Sequence, residues 1–461
     1  MKPALRAAEH RPDPGGPVGS GLERTQLGVL AALAATIPVS IFAAEVALAI
    51  GVLVFAWRLG RGQARLEPTD LDAPLLAYGV WTLLAASFAV DPAAAHEDAK
   101  ELLIFALFYL GANTLVRRGA REAVLSALFM GGIALGVMVV VQYHALGYDS
   151  LNHRPRGFLG HYMSSSGVLM GVVVTAAARL VFGRLDRPRL GDTWLVGVLV
   201  AGVAAVAALG VVAPATGVVP TRLFVAGLAA GGAAVALSGR ASVRSATTLL
   251  PWVAVPLGTW ALVVSQTRNA WVGVVAGLVV VTAVRTPRLL WGLAAVLGVL
   301  LLVRPAAVAS RLTVSDASTV DRYYMWQAGL DMILDKPVFG QGPGMILTVY
   351  PQYRWPQAPN PATPHLHNNA LQVAATRGLP GLVFLTWWVV VALAAALAEA
   401  RRAKAEPPWG WPAVAALGAL VAFLVAGLFE YNLGDSEVLM LALLLTSLPF
   451  ARRRERVADG A

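Results

Sequence analysis

Residues 364–381 read Pro-His-Leu-His-Asn-Asn-Ala-Leu-Gln-Val-Ala-Ala-Thr-Arg-Gly-Leu-Pro-Gly. They close a long polar stretch and lead into an apolar run. His367 therefore falls where a membrane-embedded chain would meet water. Asn368 stands beside it, and Gly378 and Gly381 follow one helix length on. An imidazole in that place can take a proton at neutral pH and act as a general base. His365 and His367 also form a His-x-His pair, a spacing compatible with metal ligation. No carboxylate or third histidine lies near in sequence, although His153 and His161 could approach in space. The bland reading of His367 is a hydrogen-bonding loop histidine. The expectation is a site with no metal and no cofactor.

Arginines supply the second chemical element. Arg268 lies in Ser265-Gln-Thr-Arg-Asn-Ala-Trp271, a very short polar turn between two apolar runs. Arginine at such depth is costly and tends to be functional, although a lone side chain there can also snorkel to water. Arg156 lies in His153-Arg-Pro-Arg-Gly-Phe158, just before an apolar run that opens with three serines, Ser164 to Ser166. A guanidinium fork can hold two phosphate oxygens at once. The alternative is a solvated basic loop, and Arg154 competes with Arg156 for any role. Together these residues suggest a basic site for a phosphorylated lipid. Asp91, Glu97 and Asp98 are the fallback bases, because acidic residues are otherwise scarce on that side.

The elements that must position these groups are membrane helices. The chain has 461 residues, of which 57% are hydrophobic and 13% charged. Soluble domains carry about 25% charged residues. Apolar runs close to the roughly 20 residues that cross a bilayer recur along almost the whole length. The short alternating segments of a barrel are absent. The expected fold is an all-α polytopic membrane protein with about 12–14 transmembrane helices. The candidate spans lie near 26–40, 43–58, 73–90, 99–116, 122–144, 161–182, 193–212, 221–238, 249–266, 269–286, 288–303, 378–398, 411–429 and 436–450. A flexible cytoplasmic arm (1–25) precedes spans 1 to 11 (26–303). A large outer loop (304–377), the last spans (378–450) and a cytoplasmic tail (451–461) follow.

Charge supports that order. With the N-terminus inside, the inner connections carry Arg58, Arg61 and Arg65, then Arg117, Arg118 and Arg121, and later Arg401, Arg402 and Lys404. The tail adds Arg452, Arg453, Arg454 and Arg456, as the positive-inside rule requires. The net charge of +10 is spread over short loops, so nucleic acid is not an expected partner. Cysteine is absent, which excludes disulfides, thiolate metal sites and a cysteine nucleophile. Within the long loop, Thr319 to Leu334 has helical spacing that Asp335-Lys336-Pro337 ends. Gly340-Gln-Gly-Pro-Gly344 reads as a turn, and a second amphipathic stretch holds Met345, Val349, Tyr350 and Tyr353. Such aromatic density suggests elements lying along an interface.

These motifs resemble the O-antigen ligase and O-antigen polymerase superfamily. The resemblance rests on His367-Asn368, nine residues, then Gly378-Leu-Pro-Gly381. It also rests on the Arg268 turn, on Arg156-Gly157-Phe158, and on Asp321-Arg322 through Trp326 to Pro337, Phe339-Gly340 and Gly342-Pro343-Gly344. It covers roughly residues 150 to 385. Asn269 stands where family members often carry glycine. The resemblance implies a membrane glycosyltransferase of type C-like architecture in the bacterial inner membrane, with its site on the periplasmic side. The implied donor is an undecaprenyl-pyrophosphate-linked glycan, and the implied acceptor is a sugar hydroxyl of lipid A-core. Transfer would be inverting and metal-independent. His367 would be catalytic, and Arg156, Arg268, Asn368, Arg154 and Arg322 would bind substrate. A polysaccharide polymerase and a protein O-oligosaccharyltransferase share the donor and remain alternatives. A membrane transporter is the rival from another class, but related halves and charges within the spans are not evident.

Overall fold

The computed structural model describes residues 21–182, 242–288, 317–403 and 410–459, with a few positions between 290 and 298. Among them every regular element is helical. The first part of the chain forms α1 (Gly21–Thr36), α2 (Ile41–Gly60), α3 (Asp72–Ser87), a short α4 (Pro92–Asp98), a 3-10 segment (Ala99–Phe105), α5 (Ala106–Thr114), α6 (Arg118–Ala145) and α7 (Tyr162–Phe182). The second part forms α8 (Ser242–Val264), α9 (Arg268–Arg285), α10 (Ala317–Asp335), α11 (Ile346–Tyr353), α12 (Asn369–Ala403), α13 (Trp411–Ala426) and α14 (Ser436–Asp459). The protein is thus an all-α polytopic membrane protein. Among the described residues, five helices are long and apolar enough to cross a bilayer: α2, α6, α7, α9 and α12. Residues Leu249–Val264 and Trp411–Ala426 form shorter apolar helices. The expected spans at 193–212 and 221–238, and most of 288–303, lie outside the described residues. So do residues 304–316 of the expected loop and nearly all of the expected N-terminal arm.

Small residues decide how the bundle closes. Between hydrocarbon-embedded helices the gain comes from van der Waals fit, and a small-xxx-small spacing lets backbones approach. Gly273 and Gly277 give α9 that spacing. A Cβ at Gly273 would sit 2.8 Å from the Ala422 carbonyl oxygen, and one at Gly277 would sit 2.8 Å from that of Gly418. α9 and α13 therefore touch backbone to backbone. α7 packs against both and is buried along nearly its whole length. α2 does the opposite: Phe42, Leu53 and Trp57 point outward, the face expected to meet lipid.

The loop helices make a second, smaller core. Met325, Ala328 and Met332 of α10 meet Ile346, Val349 and Tyr350 of α11, with Leu366 and Ala375 between them. The amphipathic stretches expected along an interface thus pack on each other and on the start of α12. α10 ends at Asp335, as Pro337 requires.

α12 is not one continuous helix. Gly378 has φ 68° and ψ 178°, and the helix breaks there. The break frees carbonyls at the end of the first half, and the glycine turn supplies their partners. The Gln341 N–H donates to Ala375 O at 2.8 Å, and the Gly342 N–H donates to Thr376 O at 3.0 Å. The Trp81 indole N–H donates to Arg377 O at 2.7 Å, and the Leu379 N–H donates to Pro337 O at 2.8 Å. A Cβ at Gly378 would run into the Val338 carbonyl. The expected span starting at 378 is therefore the second half of this broken helix. Its first half, Asn369 to Arg377, falls within the expected outer loop (304–377) but is helical.

The two ends of the bundle differ in charge. At the end opposite His367, buried Glu399 is approached by Arg402, Arg452 and Arg456. Arg121 pairs with Glu455, and Arg453 pairs with Asp70 at 2.7 Å.

Candidate active site

His367 lies on the residue pair that leads into α12. Its backbone is left-handed, with φ 51°, one of two such non-glycine positions among the described residues; Gln266 is the other. The segment is clamped from three sides. The Trp326 indole N–H of α10 donates to Leu366 O at 3.0 Å, and the Leu366 N–H donates to Gln372 Oε1 at 2.8 Å. The third clamp is the connection between α13 and α14. The Asn369 N–H donates to Gly427 O at 2.8 Å, and Asn369 Nδ2 donates to Asn432 Oδ1 at 2.6 Å.

That clamp delivers Glu430. Both carboxylate oxygens accept from His367 Nδ1, Oε1 at 3.0 Å and Oε2 at 2.9 Å. A carboxylate can only accept, so the Nδ1 nitrogen carries the proton and Nε2 is the basic atom. Glu430 is buried. Burial pushes its carboxyl up, but the hydrogen bond from His367 and the charges of His367, His365 and Arg322 outweigh it. The net effect holds the group below the usual carboxylate range. The His365 ring lies 4.2 Å from the His367 ring, and burial with the neighbouring His367 lowers its pKa to about 4. Asp435 is close by. Burial and the repulsion of Glu430 and Glu437 push it up to about 7, against a hydrogen bond with Ser164.

A cavity of about 450 Å³ opens beside this group, lined by Arg154, Arg268, Arg322, Trp326, Phe429 and further residues of α7, α9 and α10. Arg322 joins cavity to histidine, because its Nη2 lies 3.8 Å from Glu430 Oε2. Arg268 opens α9, and its Nη2 donates to Thr319 Oγ1 at 3.2 Å. The Arg154 guanidinium lies 4.3 Å over the Tyr162 ring. Three of the expected arginines thus face one space. Arg156 is exposed and is absent from that lining; its charge acts on His161, as do Arg154, His367 and Glu430.

Several expected ligands do structural work. The hydroxyls of the Arg268 turn bond to one another and to the bundle: Ser265 Oγ donates to Leu262 O, and Ser166 Oγ donates to Thr267 Oγ1 at 3.0 Å. Ser165 Oγ donates to Arg156 O, and Gly157, with φ 60°, lets that loop pack on Leu135. Asn368 spends both ends of its amide on backbone. Nδ2 donates to Leu428 O, and Oδ1 accepts from the Leu371 N–H, each at 3.0 Å. These contacts tie the side chain next to His367 to the connection between α13 and α14 and to the first turn of α12. Asp91 caps α4, Glu97 pairs with Lys100, and Asp98 packs against Gly344; none lies among the residues around His367. His153 stacks on Tyr148 instead of joining the histidine pair.

Glu430, Trp326 and Phe429 were not foreseen as site residues. Glu430 stands in an acidic outer connection, but nothing local to Phe429-Glu-Tyr431 indicates a partner 63 residues away.

Residues 253–386 match a family model described as O-Antigen ligase. No curated protein matches the chain. The matched stretch runs from α8 into α12 and contains Arg268, Arg322, His367 and Asn368, while Arg154 and Glu430 lie outside it. Residues 253–386 are therefore similar to the O-antigen ligase family, and they lie within an all-helical membrane architecture.

Proposed function

We propose that the protein is an O-antigen ligase, transferring a glycan from undecaprenyl pyrophosphate to a sugar hydroxyl of lipid A-core at the periplasmic face of the bacterial inner membrane. The observation that carries this reading is the His367–Glu430 pair beside a cavity holding three guanidinium groups. The leaving group is a pyrophosphate, which needs charge neutralisation more than protonation. Arg154, Arg268 and Arg322 supply that charge without a metal. The acceptor hydroxyl is a poor nucleophile. His367 Nε2 removes its proton as the oxygen attacks the anomeric carbon, the carbon–oxygen bond to phosphate breaks, and undecaprenyl pyrophosphate departs with the electron pair. The configuration inverts because there is one displacement. Glu430 stabilises the imidazolium that forms. The apolar wall of Met163, Val272 and Phe429 suits the lipid side of the donor.

The test is transfer by the purified protein from lipid-linked donor to lipid A-core without any ion gradient. Product formation that depends on His367 supports the reading. Lipopolysaccharide from a deletion strain separates the acceptors. Core without O-chain marks a ligase, and core with one unit marks a polymerase. Unaltered lipopolysaccharide marks a protein acceptor.

A further inference from the structure

His365 contributes nothing to the chemistry above, yet it is built into the same cluster. Its Nδ1 is buried, has no hydrogen-bond partner and lies 3.7 Å from Glu430 Oε1. His367 Nδ1 lies 2.9 Å from Glu430 Oε2. One ligand atom from each of the three residues falls within 4.8 Å of the others. A tetrahedral ion with metal–nitrogen and metal–oxygen bonds of about 2.1 Å spaces its ligand atoms about 3.4 Å apart. The cluster therefore needs its ligand-atom separations to change by about 1.4 Å or less to close on an ion. Two imidazoles and one carboxylate select zinc, copper or nickel over magnesium and calcium.

We propose that His365, His367 and Glu430 form a binding site for a zinc-class transition metal ion, and that filling it inhibits glycan transfer. The inhibition rests on the proposed role of His367 as base; the binding does not. The mechanism follows from the two nitrogens of one ring. A neutral imidazole carries a single N–H, and in the metal-free site Glu430 holds it on Nδ1, leaving Nε2 to accept a proton. A metal on Nδ1 moves that hydrogen to Nε2, which then donates and cannot accept. The same ion takes the Glu430 carboxylate away from the ring. Arg322, 3.8 Å from Glu430, opposes a cation here, so binding is reversible rather than structural.

The full-length protein in nanodiscs, titrated with zinc chloride by calorimetry, tests the site directly, with magnesium chloride as the control. One saturable zinc site is expected, weakened at least about tenfold in both His365→Ala and His365→Gln. Each protein is then assayed with and without zinc: transfer by the wild type should fall as the site fills, and transfer by the His365 variants should be unchanged over the same range. No saturable binding, equal binding in the wild type and both variants, or equal zinc sensitivity overturns the proposal. A fully active His367→Ala variant would instead remove the base, while calorimetry still decides the metal site.

Discussion

His367 sits in a backbone conformation that costs a non-glycine residue about 1–3 kcal/mol. The surrounding hydrogen bonds hold it there, and the result is an imidazole whose Nδ1 is fixed on Glu430. Replacing His367 with Ala should lower the transfer rate about 10²–10⁴-fold. His367→Asn, which tolerates the left-handed region, should be equally inactive. Thermal melting should show both variants folded, and wild-type turnover in either removes the base from the mechanism. Glu430→Gln keeps the size of the side chain but offers no charge to an imidazolium. Its kcat should fall within the same range while donor KM changes little, and a rise in KM with kcat intact would assign Glu430 to binding instead. Arg268→Lys keeps charge and loses the fork, so donor KM should rise; an unchanged KM argues against a two-oxygen contact. At this scale His367 and Arg268 stand out in the sequence as candidates, because each is a polar residue beside a long apolar run. Glu430 was hidden because its meaning depends on a contact between distant connections. That Arg154 rather than Arg156 lines the cavity is not readable from spacing, because contacts at Gly157 and Ser165 fix the loop in three dimensions.

The elements show why the glycines recur. Gly378 has a backbone geometry that is essentially restricted to glycine, with the Val338 carbonyl in the place of a Cβ. Gly378→Ala should therefore lower the melting temperature by several degrees and reduce the yield of folded protein. A variant as stable as the wild type would show that the turn can move aside. The helical stretch 319–334 and its stop at Pro337 were legible, since period and proline are local signals. The first half of α12 was not, because Asn369 to Arg377 is too short to read as a span. Its carbonyls are satisfied only by the turn at Gln341 and Gly342.

For the molecule as a whole, the separation of charge gives a test of orientation. The native chain has no cysteine, so single introduced thiols report cleanly. A thiol at exposed Gln357 should react with an impermeant maleimide in intact spheroplasts. One at exposed Val457 should react only after permeabilisation, and the reverse pattern would invert the topology. Stability should also depend on pH through Asp435. Its pKa is raised from the ordinary aspartate value to about 7. Its contribution is therefore complete below the unfolded value and is lost as pH rises through about 7. Asp435→Asn should escape that loss, so its melting temperature should gain on the wild type between about pH 5 and about pH 8. A constant gap between the two proteins would mean that Asp435 is not desolvated. His365 and Glu430, both held low, act in the opposite sense and cost stability as pH falls.

The stitching of Asn369 to Gly427 and Asn432 bears on biogenesis. His367 is translated well before Glu430, and the two can meet only after the α13–α14 hairpin has been made. On the proposed mechanism, a nascent polypeptide arrested ahead of Glu430 would hold its arginines and its imidazole and still be inert. On that mechanism the onset of activity would await synthesis of the α13–α14 hairpin.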